Sequence, residues 1–435
     1  GVLQGGALLP GPGGASDLWD CYAIAWHDVG PGSSSPSAPY LMLVYPVAVL
    51  LLGKADLAVQ FLMLLGIPTA GWAAYFTLRG AVTSRAIRVW AGVAYALLPA
   101  ITGAVSSGRL GTMLAAILFP FTIRSFVRIS RERGTFRRAA GTGLLLAALT
   151  AAVPALWLVA VVAAGVVVIR AWAVQRATAA PVTRRMALAI ISPLVLLAPW
   201  SLHVLAHPSL FLLEPGITSA SLNDPGITPL DILLLHPGGP GMTPIWLGAP
   251  LVLAGLLALV RRDHLPAIAA CWGLAVAAMI LGIVQVIVLV TPPGATTALR
   301  SWPGPATLLL GTAMIAAAAF GADGLPARMS RESFNLAQPL AAILALGVIL
   351  APIASVVLWF PDAPGKLRKA PASAVPAFVE ADALGPAAPR TLVLRQDAEG
   401  RVQYNLIDGA GPMLGDADVA PPSQVWERID PLVSA

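Results

Sequence analysis

The stretch Ala139-Ala-Gly-Thr-Gly-Leu-Leu-Leu-Ala-Ala-Leu-Thr-Ala-Ala-Val153-Pro154-Ala-Leu-Trp-Leu-Val-Ala-Val-Val-Ala-Ala-Gly-Val-Val-Val-Ile-Arg170 decides how this chain folds. As one helix its 32 residues would reach about 48 Å, against a bilayer hydrocarbon core of about 30 Å. Both flanks are basic: Arg137 and Arg138 before it, then Arg170, Arg176, Arg184 and Arg185 after it. A single tilted span would carry the second group to the opposite side of the membrane. A break at Ala152, Val153 and Pro154 makes a hairpin instead and returns both basic flanks to one side, as the positive-inside rule asks.

Working outward, apolar runs bounded by charge fall at about 55–78, 89–105, 109–127, 139–153, 154–170, 187–205, 245–260, 266–290, 306–322 and 339–360. This predicts an all-α polytopic membrane protein with about ten transmembrane helices. The composition agrees. Of 435 residues, 57% are hydrophobic and 11% charged, with mean hydropathy +0.79, where soluble domains carry about 25% charged residues. The 41 Gly and 39 Pro sit inside apolar runs without a Gly-X-Y period, which excludes a collagen-like chain.

The run Pro39–Gly53 is 15 residues long and contains Pro46, so it is expected to lie at the interface rather than cross. With that run outside, the loops on one side hold 17 of the 27 Lys and Arg and 4 of the 21 Asp and Glu. That side reads as cytoplasmic. The basic pI of about 9.7 then reflects topology signals at helix ends rather than a nucleic-acid partner. The expected organisation is an outer loop with interfacial helices at 1–54, a transmembrane domain at 55–360, and an extracytoplasmic, partly β tail at 361–435. Within the tail, Arg390–Arg395 and Arg401–Ile407 alternate like the strands of a hairpin around Asp397-Ala-Glu-Gly400. Too few strands follow for an independent core, so the outer domain reads as truncated. The chain opens on Gly1 without a signal peptide, as expected of a piece of a longer protein. Cys21 and Cys271 fall on opposite sides in this topology, so no disulfide is expected between them.

The densest polar and aromatic cluster is Asp17-Leu-Trp19-Asp20-Cys-Tyr22-Ala-Ile-Ala-Trp26-His27-Asp28. Ser16 is placed to cap a short helix, and Asp17 and Asp20, three apart, share a face. A carboxylate at the water–membrane boundary suits a general base or a metal ligand, and the rings suit sugar stacking; an interfacial aromatic belt with solvated carboxylates is the plainer alternative. The 206–244 loop is long enough to be functional and contains Asp224; His203 and His207 precede its body at i, i+4 spacing. Arg109, and Arg300 beside Trp302, are two of the few cations on the outer side, where they suit a lipid phosphate or snorkel to headgroups.

Gly1-Val-Leu-Gln-Gly-Gly-Ala-Leu-Leu-Pro10, Asp17-Leu-Trp19 with Tyr22 and Trp26-His27, Ser35-Pro-Ser-Ala-Pro-Tyr40 and Leu51-Leu-Gly-Lys54 resemble the multi-spanning, GT-C-like region of large actinobacterial cell-envelope glycosyltransferases of family 2. The tail's Thr391-Leu-Val-Leu394 and Gly415-Asp416 are similar to their outer domain. The resemblance implies a plasma-membrane enzyme whose full-length chain carries an N-terminal cytoplasmic glycosyltransferase domain. It implies transfer of sugar from a polyprenyl-phosphate donor to an envelope glycan on the outer face. By position, Asp17 or Asp20 is then catalytic. Trp19, Tyr22, Trp26, His27, Arg109, Asp224, Arg300 and Trp302 are the expected substrate-binding residues, and a divalent metal stays open. A flippase of lipid-linked saccharides and a non-catalytic scaffold are the alternatives. Near-absence of ionisable residues inside the spans weighs against a proton-coupled pump.

Overall fold

The computed structural model describes the chain except residues 132–133, 175, 218–219, 224–225, 240–242, 293–297, 325–336, 364, 372, 374, 384, 388, 397–401, 408, 410 and 420–435. Each of the ten apolar runs is helical. Eight helices among the described residues are long and apolar enough to cross a membrane: Ala55–Leu78, Arg85–Ser107, Leu110–Ser130, Ala155–Val174, Arg176–Leu196, Arg262–Ile287, Gly304–Ala322 and Gln338–Trp359. The expected count of about ten is therefore not reached by length. Phe136–Ala152 has 17 residues, and Ile245–Val260 is also a shorter apolar helix; at 1.5 Å per residue each falls short of a ~30 Å core.

The hairpin break lies where expected, between Phe136–Ala152 and Ala155–Val174. Thr135 starts its first arm, the side-chain oxygen accepting from Arg138 N at 3.3 Å. The stretch 170–186, expected as a loop, is mostly helical: it holds the end of Ala155–Val174 and the start of Arg176–Leu196, and Trp172 Nε1 donates to Thr183 Oγ1 at 3.1 Å across the two. Ala and Arg favour helix, and long basic side chains can leave a helix end toward the headgroups, so the basic stretch marks where two packed helices meet rather than a long loop. The run 187–205, read as one span, ends at Leu196 and resumes as Trp200–Ala206.

Small residues let these helices close on one another. A Cβ added to Gly71 would sit 2.9 Å from Gly92 O, and one on Gly92 would sit 2.9 Å from Gly71 O, so Ala55–Leu78 and Arg85–Ala96 cross with their backbones almost touching. Gly304–Ala322 is the central helix, buried along most of its length, whereas Gln338–Trp359 lies at the periphery with most of its surface exposed.

The loops sort onto two faces. On one, Arg124 donates to Phe76 O and Thr77 O, Arg185 to Gly134 O and Arg131 O, and Arg261 to Asp323 O; we call it the arginine face. Asp323 also accepts from Thr83 and Ser84 there. On the other, the loop face, Val2–Gln4 pairs antiparallel with Arg368–Ala370, Ser106 Oγ donates to Ala363 O, and Leu414 N donates to Pro10 O. The first segment and the tail thus meet on the side opposite the arginine clusters. Leu41–Leu50 has ten residues, about 15 Å, too short to cross. Thr391–Gln396 pairs antiparallel with Val402–Ile407, within a residue of the expected strands; the turn at 397–400 lies outside the described residues. Cys21 and Cys271 are both free thiols.

Candidate functional site on the loop face

The first-loop cluster forms a short helix, Ala15–Ala23. Gly14, not Ser16, is its N-cap. Gly14 N donates to Asp17 Oδ2 at 3.0 Å and Ser16 Oγ to Asp17 Oδ1 at 3.1 Å, so Asp17 ties down the first turn. Asp20, one turn on, is exposed and makes none of these bonds. Trp19 packs on Tyr45 with ring centroids 5.8 Å apart yet remains half exposed, and Trp26 is exposed over Gly32, where a Cβ would stand 2.3 Å from the ring. Tyr22 is half-buried. His27 turns inward: its Nε2 lies 3.3 Å from Ser37 Oγ, and burial lowers its pKa, holding the imidazole neutral at pH 7.

A second cluster surrounds Arg109, which is 1% exposed. Its Nη1 donates to Glu214 Oε2 at 3.3 Å, and its Nη2 to Asn223 Oδ1 at 3.4 Å and to Leu222 O. The guanidinium carbon stands 4.3 Å from the Trp302 ring centroid. Glu214 also accepts from Thr112 N at 2.7 Å and from Thr112 Oγ1 at 2.9 Å. Its carboxylate therefore sits on the orphan N–H groups at the start of the Leu110–Ser130 helix, where the dipole favours an anion. A Cβ on Gly111 would lie 2.8 Å from Glu214 Oε1 and 2.6 Å from Ala152 O, so glycine is what lets the acid dock.

Beside this pair opens a shallow cleft between the first segment, the Glu214–Ile217 turn and the tail. Leu8, Tyr40, Gly111, Glu214 and Leu414 line it. Gly216 N donates to Asp418 Oδ1. Burial pushes the Asp418 carboxyl up to about 7, against the pull of the Gly216 N–H and the Tyr40 hydroxyl. Burial likewise holds the Tyr40 phenol protonated.

No family model matches this chain, and no curated protein matches it. A solved structure does: the arabinofuranosyltransferase AftD from mycobacteria, a GT-C enzyme, at 19% identity and TM-score 0.55, over 86% of this chain. The fold is similar to that of AftD. The match takes up 26% of the AftD chain, so the present chain spans about a quarter of that enzyme. A second structure of AftD, a point mutant, aligns at 16% identity with TM-score 0.47, over 85% of this chain and 27% of that one. The GT-C-like helical membrane fold expected from the first-loop motifs is thus present.

Within this AftD-like frame, Arg109 and Trp302, both expected to bind substrate, do come together, but around Glu214. Arg109 does not reach the first-loop carboxylates; it is enclosed by protein groups. Trp302 is buried and donates from Nε1 to Gly238 O at 2.9 Å. Arg300 is exposed at the end of the Leu299–Arg300 strand. Asp224 lies outside the described residues. His203 and His207 lie with ring centroids 4.8 Å apart and planes tilted by 41°, but no group of three His, Cys, Asp or Glu forms a metal-ligand set among the described residues. Sequence reading gave no site role to Glu214, Thr112, Asn223, Tyr40 or Asp418. A lone acid in an otherwise uncharged turn was the one available signal, for Glu214.

Proposed function

We propose that this chain is the membrane region of a cell-envelope glycosyltransferase that moves sugar from a polyprenyl-phosphate carrier to a glycan at the loop face. The observation that carries the reading is the likeness to AftD over 86% of the chain, with exposed carboxylates and aromatic rings gathered on one loop of that face. The arginine face is taken as cytoplasmic. The loop face and the tail are then extracytoplasmic in a multi-pass plasma-membrane protein, joined to a cytoplasmic glycosyltransferase domain in the full-length chain.

Asp20 is the proposed general base, because Asp17 is engaged in holding its own helix. In the proposed step the acceptor hydroxyl attacks the anomeric carbon and its proton passes to Asp20. The bond from that carbon to the phosphate oxygen breaks, and polyprenyl phosphate leaves with the electron pair. Trp19 and Trp26 present faces for the sugar. Arg300, exposed on the loop face, is the proposed phosphate partner. Membranes containing the full-length protein, supplied with a radiolabelled polyprenyl-phosphate pentose, test the reading: label should enter polymer, and Asp20→Asn should stop it.

A further inference from the structure

The Leu41–Leu50 helix ends in a turn that throws three apolar side chains out of the fold. Gly53 N donates to Ala48 O at 2.9 Å, the bond that closes a helix through a left-handed residue just past its end. Glycine usually holds that position. Here it is Leu52, with φ +60°, a conformation that crowds any side chain against its own backbone. The leucine packs on almost nothing in the protein to offset that strain: Leu52 is 91% exposed and Leu50 is 81% exposed, with Val49 half exposed beside them.

Hydrogen bonds on both sides hold the turn in place. Gly53 O accepts from Ala15 N at 2.8 Å, and Lys54 N donates to Leu51 O at 3.3 Å. Lys54 then leads directly into the Ala55–Leu78 span. The 24 residues of that span make about 36 Å, more than the ~30 Å of hydrocarbon but less than the ~40–45 Å of a membrane with its headgroups. Its far end, at Arg79, belongs to the arginine face, where Arg124 donates to Phe76 O and Thr77 O. The turn before Ala55 therefore falls in the headgroup layer of the loop face. Leu57, Phe61, Leu64 and Leu65 of the same span are exposed, so apolar exposure runs on from the turn into the surface that meets lipid.

We infer that Val49, Leu50 and Leu52 form an anchor that inserts into the leaflet on the loop face, at the boundary between headgroups and acyl chains. Burying these side chains among acyl chains offsets the strained leucine, and the exposed Lys54 reaches the phosphates of the same leaflet. A protein partner would instead have to displace the lipid that already lines the start of the span. Through the Ala15–Gly53 hydrogen bond the anchor holds the Ala15–Ala23 helix against the membrane surface. The inference needs only the helical membrane fold, and its test needs no turnover.

The full-length protein, in a cysteine-free background and in phosphatidylcholine nanodiscs, is spin-labelled through Leu52→Cys, through Ser16→Cys on the exposed first turn of the first-loop helix, or through Leu64→Cys inside the span. Power saturation compares oxygen, which concentrates in hydrocarbon, with a nickel chelate, which stays in water. The label at 52 should lie about 5–10 Å below the lipid phosphates, with oxygen dominant as at 64, whereas nickel should dominate at 16. The unsubstituted protein gives a second reading. Phosphatidylcholine with a diazirine in its acyl chain should label residues 49–52, and Leu50→Asp combined with Leu52→Asp should remove that label while leaving the label on 61–65. Nickel access at 52 equal to that at 16 would overturn the inference. So would exclusion of both reagents at 52 together with no lipid label on 49–52, the pattern of a turn covered by protein.

Discussion

Replacing Glu214 by Gln isolates the energetic role of the buried pair. The carboxylate accepts three hydrogen bonds, from Thr112 N at 2.7 Å, Thr112 Oγ1 at 2.9 Å and Arg109 Nη1 at 3.3 Å. Both partners are shielded, with side chains 1% and 4% exposed. Hydrogen bonds to charged groups contribute about 1.5–3 kcal/mol each, and breaking a buried pair by removing one partner costs about 3–5 kcal/mol, because the other charge stays buried. Glutamine keeps the shape and an acceptor for Thr112 N, so the loss belongs near the lower end, about 3 kcal/mol. Arg109→Met alone should cost about as much. The double variant should cost clearly less than the sum of the two, since the second change removes the stranded charge. Reversible unfolding in mixed micelles, followed by tryptophan fluorescence, reads these differences. A Glu214→Gln protein within about 0.5 kcal/mol of wild type, or strictly additive single changes, would refute the assignment of this pair as the clamp between the 206–244 loop and the Leu110–Ser130 helix.

Gly111→Ala should destabilise by about 1–3 kcal/mol in the same assay, because its Cβ would meet Ala152 O and Glu214 Oε1. The Asp418 carboxyl, raised to about 7, favours the docked tail when protonated; that contribution is complete below the ordinary carboxylate range and fades as pH rises through 7. Amide exchange over residues 411–419 should therefore be more protected at pH 5 than at pH 8, and Asp418→Asn should flatten the difference. In a background with Cys21 and Cys271 replaced by Ser, a membrane-impermeant maleimide applied to intact cells should label Ser16→Cys and spare Arg137→Cys. Labelling in the reverse sense would invert the proposed orientation.

The apolar runs and the break at Val153-Pro154 were legible because span length and basic flanks are local properties that the bilayer imposes on any chain. The tail hairpin was legible from alternation of period two. The two helix ends within 170–186 were not: their arginines read as a loop, although a helix end at a headgroup layer tolerates them well. The Arg109–Glu214 pair joins residues 105 apart, and no local pattern announces such a contact. Arg109 was singled out as a rare cation on its face, which was sound, but whether a rare cation meets a ligand or a buried acid is decided by packing. Trp302 illustrates the same point: it was expected to bind substrate beside Arg300, and the fold buries it over Arg109.

The central claim is that the first-loop helix carries the base for glycosyl transfer at the loop face. Transfer from a labelled polyprenyl-phosphate pentose, measured with Asp20→Asn in the full-length protein, tests it most directly. Asp20 is exposed, so the variant should fold and unfold as wild type does while transfer falls by about 100-fold or more, the scale of a lost general base. Full transfer by a normally folded Asp20→Asn protein would contradict the account.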